Sequence, residues 1–484
     1  MTASPSPSSP APKSISIAEI DASCRLPLFL IFVSAAVWLV IGSAFALIAM
    51  LTFHRPSLFA DCAWLSYGRA WPAYLNCVLF GFCLQTGLGV ALWMIARLGR
   101  TRLPRPWIVA IGAKLWNLGV TIGVIGILAG DATGFHYLEM PRYAALILFL
   151  GYLLIGLWTL LTFHQRRQRS LFVSQWFLLA ALFWFPWIYS TAYLLLASFP
   201  ERGVAQAVIA WWFASNLLVV WLGLVGLAVI FYVIPKLTSG ELHSRYLALL
   251  TFWLLILFGS WGGIPSSAPV PAWMPTLCTV ATVLLVLPLF TVALNIFGTL
   301  RGQGVKVRSN VPLQFIWLGF IGFLVATLMN IIAALPQVSP ITNFTWVTTA
   351  RLHATVYGFF SLVMFGAIYF IVPQLAGFEF PAQRVRAHLW LATLGSIFLI
   401  LPLGIGGLIQ GFKLQNPGIP FIDISRTTLP FLRASTVGDL LIAAGHVVFF
   451  INVAGVVSRF SRTRAVAAYE VATADLFKSA EAKP

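Results

Sequence analysis

The fold is decided by stretches such as LPLFLIFVSAAVWLVIGSAFALIAMLT, residues 26–52, in which 27 residues follow one another without a charged side chain. A membrane-spanning helix needs about 20 consecutive apolar residues, so this run is long enough to cross a bilayer. It is too long for the core of a signal peptide and has no convincing basic segment before it, so we expect it to be retained.

The same pattern recurs along the chain. Of its 484 residues, 60% are hydrophobic and 9% are charged, whereas soluble domains carry about 25% charged residues. This composition excludes a soluble globular protein and predicts an all-α membrane protein, built as a bundle of twelve transmembrane helices. The predicted spans lie at 26–52, 70–97, 106–130, 142–164, 171–198, 204–235, 246–263, 273–299, 310–335, 345–375, 388–411 and 430–458.

Basic residues indicate the orientation. The net charge of +17 is explained by topology, because cytoplasmic loops collect Lys and Arg, and we expect no nucleic-acid partner. With a cytoplasmic N-terminus, the inner segments hold twenty-one of the thirty Lys and Arg residues and the outer segments hold seven. Both termini are therefore predicted to be cytoplasmic. We predict a disordered Ser/Pro-rich tail at 1–23, the transmembrane domain at 24–460 and a C-terminal tail at 461–484.

Four ionisable residues lie deep in the predicted spans: Arg351, His353, Asp439 and His446. Polar groups at that depth are costly and mark functional or structural sites. Arg351 and Asp439 enter from the outer face to comparable depths, so Asp439 is a candidate counter-charge for Arg351. His446 lies on roughly the same helix face as Asp439, and a hydrogen bond between helices explains it as well as a ligand role does.

Several local strings, taken in order, resemble the catalytic subunit (subunit I) of haem–copper oxidases. They are WLSYGRAWPAYLNCVLFGF at 64–82, WWFASN at 211–216 with YVIPK at 232–236, WGGIPSS at 261–267, and TWVTTARLHATVYGF at 345–359 with IVPQL at 371–375. The nearest branch by resemblance is the C-family, or cbb-type, cytochrome c oxidase, which is related to nitric oxide reductase. The resemblance covers about residues 30–460 and implies the twelve-helix subunit I fold and a bacterial inner membrane.

Most metal ligands of that family are replaced in this chain. The family uses six histidines to hold a low-spin haem, a high-spin haem and a copper ion, since neutral imidazole suits both metals. The resemblance places Tyr74 at one low-spin ligand and Arg351 at the high-spin ligand, and it leaves His353 as the surviving low-spin ligand. The three copper-ligand positions and the cross-linked tyrosine fall on Ser215, Ser266, Ser267 and Gly259.

Serine hydroxyls are poor copper ligands, and a guanidinium has no lone pair to donate to iron. The five cysteines contain no C-x-x-C pair, so covalent haem is unsupported too. We therefore expect no binuclear centre and no bound cofactor.

One alternative stays open, a single haem b held by His353 with either Tyr74 or His446, because tyrosinate can serve as an axial ligand. In the rival interpretation, Arg351, Asp439 and bulky apolar residues fill the space that the cofactors occupy in the family.

These observations predict a degenerate oxidase-like subunit of a respiratory complex, embedded in the lipid bilayer and not catalytic by itself. It would serve as a scaffold, dock a partner such as a membrane-anchored c-type cytochrome, or interact with quinol. One alternative is an active cytochrome c oxidase or nitric oxide reductase with unconventional ligands. Another is a proton channel or transporter that uses Arg351, His353 and Asp439.

Overall fold

The computed structural model describes residues 15–481, and within that range it is built of helices and connections without a β-strand. Twelve long helical segments follow one another along this part of the chain. They are α1 (Ile17–His54), α2 (Tyr67–Gly99), α3 (Pro106–Ala129), α4 (Arg142–His164), α5 (Val173–Ser198), α6 (Val204–Thr238), α7 (Arg245–Gly259), α8 (Trp273–Leu300), α9 (Val311–Ala334), α10 (Trp346–Ala376), α11 (Ala382–Leu414) and α12 (Phe421–Glu481).

The all-α membrane fold is confirmed, and each predicted span coincides with one of these segments. In residues 15–481, eleven of the helices are long and apolar enough to cross a membrane. The exception is α7, whose 15 residues make it shorter than the others. The most enclosed helices are α2, α6 and α10, whose apolar windows are 100%, 83% and 89% buried, against 33–56% for the others. These three helices form the centre of the bundle.

The first helix begins earlier than expected. Within the predicted tail at 1–23, α1 already begins at Ile17, while residues 1–14 lie outside the described range. A capping box starts the helix: the Ser16 hydroxyl accepts a hydrogen bond from the Glu19 backbone N–H, and the Glu19 carboxylate accepts one from the Ser16 N–H. Such reciprocal bonds satisfy two backbone donors that a helix end leaves free.

Contacts to α2 then hold this first turn in place. Asp21 forms an ion pair with Arg97 at 2.7 Å and accepts a hydrogen bond from Trp93 Nε1 at 3.0 Å. At the other end of the chain, α12 continues to Glu481, so most of the predicted C-terminal tail is helical.

Each of the three central helices contains a segment of π-helix, whose turns are wider than those of an α-helix. Segments of π-helix occupy Cys77–Leu84 in α2, Asn216–Trp221 in α6 and Ala354–Ser361 in α10. Such segments are rare and are frequent at functional sites. The three segments begin close after Tyr74, Ser215 and His353, the positions at which the resemblance places metal ligands. The backbone irregularity therefore lies beside positions at which the resemblance places metal ligands, both where the histidine is replaced and where it is kept.

Candidate functional site

Tyr74 of α2 and His353 of α10 meet at the centre of the bundle. The Tyr74 hydroxyl lies 3.2 Å from His353 Nε2, and the two residues are 1% and 2% exposed. The Trp71 ring packs against both, with centroid distances of 5.3 Å to Tyr74 and 6.0 Å to His353. The phenol therefore fills the space opposite the surviving imidazole and makes a hydrogen bond with it.

This contact tests whether a haem fits. A metal–imidazole bond is about 2.0–2.1 Å long, so two axial ligands of one iron have donor atoms about 4 Å apart, with the porphyrin plane between them. Tyr74 and His353 are in direct hydrogen-bond contact at 3.2 Å. The residues present at this position do not fit a haem held between them.

His446 of α12 takes a hydrogen bond between helices. Its Nδ1 lies 2.7 Å from the Ser43 hydroxyl of α1. The Tyr357 ring packs against both His446 and His353, with a centroid distance of 5.8 Å to each. The Tyr357 ring therefore contacts both histidines, and this arrangement does not fit a haem held between them either.

The structure does not bring Arg351 and Asp439 together. The ion pairs of the described residues do not include either side chain. Arg351 Nε is buried without a hydrogen-bond partner, and its electrostatic neighbour is Tyr137, in the connection between α3 and α4. Asp439 has an unpartnered Oδ2 and instead interacts electrostatically with Tyr74 and Tyr357.

The connection between α3 and α4 contributes a buried acid that was not predicted from the sequence. Glu139 is 5% exposed, and its Oε2 accepts a hydrogen bond from Asn76 Nδ2 of α2 at 2.8 Å. Burial raises the pKa of the Glu139 carboxyl above its usual 4.5, while the Asn76 hydrogen bond acts in the opposite direction. Burial also raises the pKa of Tyr137, and the nearby Arg351 guanidinium lowers it. An acidic residue in a short polar connection usually indicates an exposed side chain, which is why this one was missed.

The positions assigned to copper ligands differ in their exposure to the surroundings of the protein. Ser266 and Ser267 are exposed and Ser215 is half-buried, and the Ser266 hydroxyl is 2.8 Å from that of Ser339. At Gly259, an added Cβ would lie 3.0 Å from Val220 Cγ2, so the backbone of α7 packs closely against α6. Among residues 15–481, no group of three or more His, Cys, Asp or Glu residues is placed to hold a metal. The residues at these positions do not fit a copper site.

One small cavity lies near these positions. A cavity of about 20 Å³, lined in part by Val219, Leu255, Thr355 and Phe359, lies between α6, α7 and α10. This volume is close to that of a single water molecule and far below the roughly 300–1,000 Å³ of ordinary ligand pockets.

A second histidine cluster lies towards the opposite end of α10. His388 is fully buried, and its Nδ1 lies 2.9 Å from the Tyr369 hydroxyl, which also accepts a hydrogen bond from Asn452 Nδ2 at 3.0 Å. The predicted span began at residue 388, but α11 begins at Ala382. His388 therefore lies about two turns inside the helix, and its role was not recognised from the sequence.

Comparison with known proteins agrees with this architecture. Residues 27–441 match the family described as cytochrome c and quinol oxidase polypeptide I. The cytochrome c oxidase subunit 1 homolog of Azorhizobium caulinodans is 25% identical over 449 residues, which cover 88% of this chain and 80% of that protein.

Two further relatives are similar over nearly the same range. The bacteroid cytochrome c oxidase subunit 1 homolog of Bradyrhizobium diazoefficiens is 26% identical over 87% of this chain and 77% of its own length. The cbb3-type cytochrome c oxidase subunit CcoN1 of Stutzerimonas stutzeri is 24% identical over 87% of this chain and 92% of its own length. With a family match that spans most of the transmembrane helices, the chain belongs to the cytochrome c and quinol oxidase polypeptide I family.

Proposed function

We propose that this protein is a degenerate subunit I that keeps the oxidase scaffold without its own haem–copper centre. It would act as a membrane subunit of a respiratory complex, in a bacterial inner membrane, and would dock partner subunits. The observation that carries this proposal is the Tyr74–His353 hydrogen bond at 3.2 Å, in which the one surviving ligand histidine is bound by the residue that replaced its partner.

The rest of the interior supports the same proposal. Arg351 stands at the position of the high-spin ligand, where a cationic guanidinium repels iron and has no lone pair to donate. The copper positions hold serines, two of them exposed. An active oxidase or nitric oxide reductase would need ligands from elsewhere in the chain, and residues 15–481 offer no metal-binding cluster.

The role that we propose for such a scaffold is the docking of partner subunits. Its family works in the membrane with other respiratory subunits, and a bundle with short connections leaves electron-transfer chemistry outside the membrane to a partner. We propose a membrane-anchored c-type cytochrome as that partner, with quinol as an additional candidate ligand. Function resides in a site and is not transferred by the fold, so the haem content of this subunit is the property that tests the assignment.

The test is the haem content of the purified native complex, measured by a pyridine haemochrome spectrum and by carbon monoxide binding. Partner subunits can carry haem of their own, so the wild type is compared with a His353→Ala variant. We expect the haem b signal per complex to be the same in both and no CO-reactive haem to belong to this subunit. Loss of a stoichiometric haem b in the variant would overturn the proposal.

A further inference from the structure

A groove opens on the surface of the bundle where the chain turns from α8 into α9. Its volume is about 460 Å³, and it is lined in part by Phe297 of α8, Gly304 and Arg308 of the connection, and Gln314 and Trp317 of α9. We call it the α8–α9 groove. Ligand pockets in proteins usually measure about 300–1,000 Å³, so this groove is large enough to hold a ligand.

One wall of the groove is aromatic. The rings of Phe297 and Trp317 meet edge to face at a centroid distance of 5.6 Å. Both rings also pack on Phe320, at 5.7 Å and 5.6 Å. Phe320 is buried, whereas Phe297 stays 49% exposed. The three rings therefore support one another and leave an apolar surface open to a ligand.

This apolar surface continues along α8. Phe290, Leu294 and Phe297 are 63%, 46% and 49% exposed, and their spacing of four and three residues places them on one face of the helix. The apolar window of α8 is 33% buried, the lowest share among the eleven candidate spans of the described residues. The exposed face extends about 10 Å along the helix, so it leads from the groove towards the interior of the bilayer.

The connection at the mouth of the groove is basic. Its sequence RGQGVKVRSN, residues 301–310, contains three basic residues and no acidic residue. The Lys306 amine donates a hydrogen bond to the Thr238 backbone carbonyl at the end of α6. Arg308 is exposed, and the ion pairs of the described residues do not include it.

The position of Arg308 is fixed through its backbone. Its carbonyl oxygen accepts a hydrogen bond from Gln314 Nε2 of α9 at 2.6 Å, which holds the connection against the first turns of that helix. A guanidinium presents several N–H donors in a planar fork that matches the oxygens of a phosphate. The groove therefore combines a phosphate-binding group at its mouth with an apolar wall that leads into the membrane.

We propose that the α8–α9 groove binds an anionic phospholipid, with the phosphate on Arg308 and the first part of an acyl chain along Phe297 and Trp317. Basic pockets between membrane helices on the cytoplasmic side bind acidic lipid headgroups, and the predicted orientation places this connection on that side. A free phosphate would use the cation and leave the aromatic wall uncovered. The inference does not rest on the function proposed above.

Gly304 allows the groove to be filled without disturbing the protein. A Cβ added at this residue has no atom within 4 Å, so Gly304→Leu places a larger side chain in open space at the groove. Arg308→Gln removes the charge instead, and Arg308→Lys keeps it. The cation and the apolar space are thereby tested separately.

The experiment measures lipid binding by native mass spectrometry of the purified, delipidated full-length protein in detergent. The protein is titrated with dioleoylphosphatidylglycerol, which is anionic, or with dioleoylphosphatidylcholine, which has the same acyl chains and no net charge. One control is Arg386→Gln, because Arg386 is exposed on α11 and does not line the groove. The other is Gly455→Leu on α12, where an added Cβ also has no atom within 4 Å.

We expect the wild type to bind phosphatidylglycerol more tightly than phosphatidylcholine. Arg308→Gln should lower the affinity for phosphatidylglycerol by about fivefold and leave that for phosphatidylcholine unchanged, while Arg308→Lys should lose less. Gly304→Leu should weaken the binding of both lipids, and both controls should bind like the wild type.

Equal affinity of the wild type for the two lipids would overturn the proposal. So would unchanged binding of phosphatidylglycerol in Arg308→Gln or in Gly304→Leu, each checked for folding by its thermal unfolding. Displacement of phosphatidylglycerol by an equal concentration of inorganic phosphate would show an anion site without a lipid and would also overturn it. The haem content of the subunit does not enter these measurements, so either proposal can fail without the other.

Discussion

At the scale of single residues, the replaced ligands have become members of ordinary hydrogen bonds. Tyr74 and His353 share a hydrogen bond, and His446 is hydrogen-bonded to Ser43. His353 Nδ1 and Arg351 Nε keep no hydrogen-bond partner among the described residues. Arg351 therefore carries the energetic cost of a buried nitrogen that forms no hydrogen bond.

Glu139 makes the stability depend on pH. Burial raises the pKa of Glu139 in the folded state above the usual 4.5. At a pH between the unfolded-state pKa and the folded-state pKa, the folded protein therefore binds more protons than the unfolded protein. The contribution of Glu139 to the free energy of unfolding is fully present below the pKa of the unfolded state, and it is lost as the pH rises through the pKa of the folded state. We expect Glu139→Gln to gain thermal stability relative to the wild type as the pH rises above 4.5, because the charged carboxylate destabilises only the wild-type folded state; the gain is measured as the difference in Tm in detergent.

The glutamine keeps an oxygen that can accept the Asn76 hydrogen bond, while the variant removes the charge and with it the ion pair of Glu139 Oε1 with His136 Nδ1 at 4.0 Å. A matched control is Glu201→Gln, since Glu201 is exposed in the connection between α5 and α6. Its difference in Tm from the wild type should not change with pH. If the difference in Tm from the wild type changed with pH in the same way for both variants, a specific role for Glu139 would be contradicted.

At the scale of helices, close packing relies on glycine. A Cβ added at Gly322 of α9 would overlap the backbone carbonyl of Gly358 in α10, which lies in the wide turn next to His353. We expect Gly322→Ala to cost about 1–3 kcal/mol, seen as a lower Tm and a smaller folded fraction on size exclusion. The control is Gly455→Ala, where an added Cβ has no atom within 4 Å, and equal losses in both variants would refute the argument.

The helices could be predicted from the sequence because long runs without charge leave few alternatives. Their ends could not, since polar residues near the interface interrupt the hydropathy pattern. The last span was predicted from residue 430, yet α12 begins at Phe421, where Asp423 and Arg426 form an ion pair at 3.6 Å on adjacent turns.

The candidate site was predictable only in part. The resemblance placed Tyr74 and His353 at opposite ligand positions, and the structure brings them together. The roles of Ser43, Tyr357 and Tyr369 were not predicted, because a single serine or tyrosine in an apolar span carries no periodic signal. The Ser43–His446 contact joins residues 403 positions apart, and only the packing of α1 against α12 reveals it.

At the scale of the whole molecule, orientation follows from the basic residues and remains a prediction. Cys62, between α1 and α2, is half-buried, while Cys24, Cys77, Cys83 and Cys278 are buried. We expect a membrane-impermeant maleimide to label Cys62 in intact cells, because that connection is predicted to face outside.

The matching control places a cysteine at the opposite face. Ser170 is exposed in the connection between α4 and α5, so Ser170→Cys in a Cys62→Ser background should react only in inverted vesicles or after lysis. Labelling in the reverse pattern would require both termini to lie outside.

The short helix α7 has a mechanical consequence for the surrounding lipid. Its 15 residues extend about 22 Å, against about 30 Å of hydrocarbon, and Tyr246, Trp253 and Leu257 point outward from it. A bilayer adapts to a short segment by thinning, at a cost of fractions of a kcal/mol per ångström. We therefore expect the bilayer to be thinner beside α7 than around the other helices, so that its elastic strain is concentrated on that one flank of the molecule.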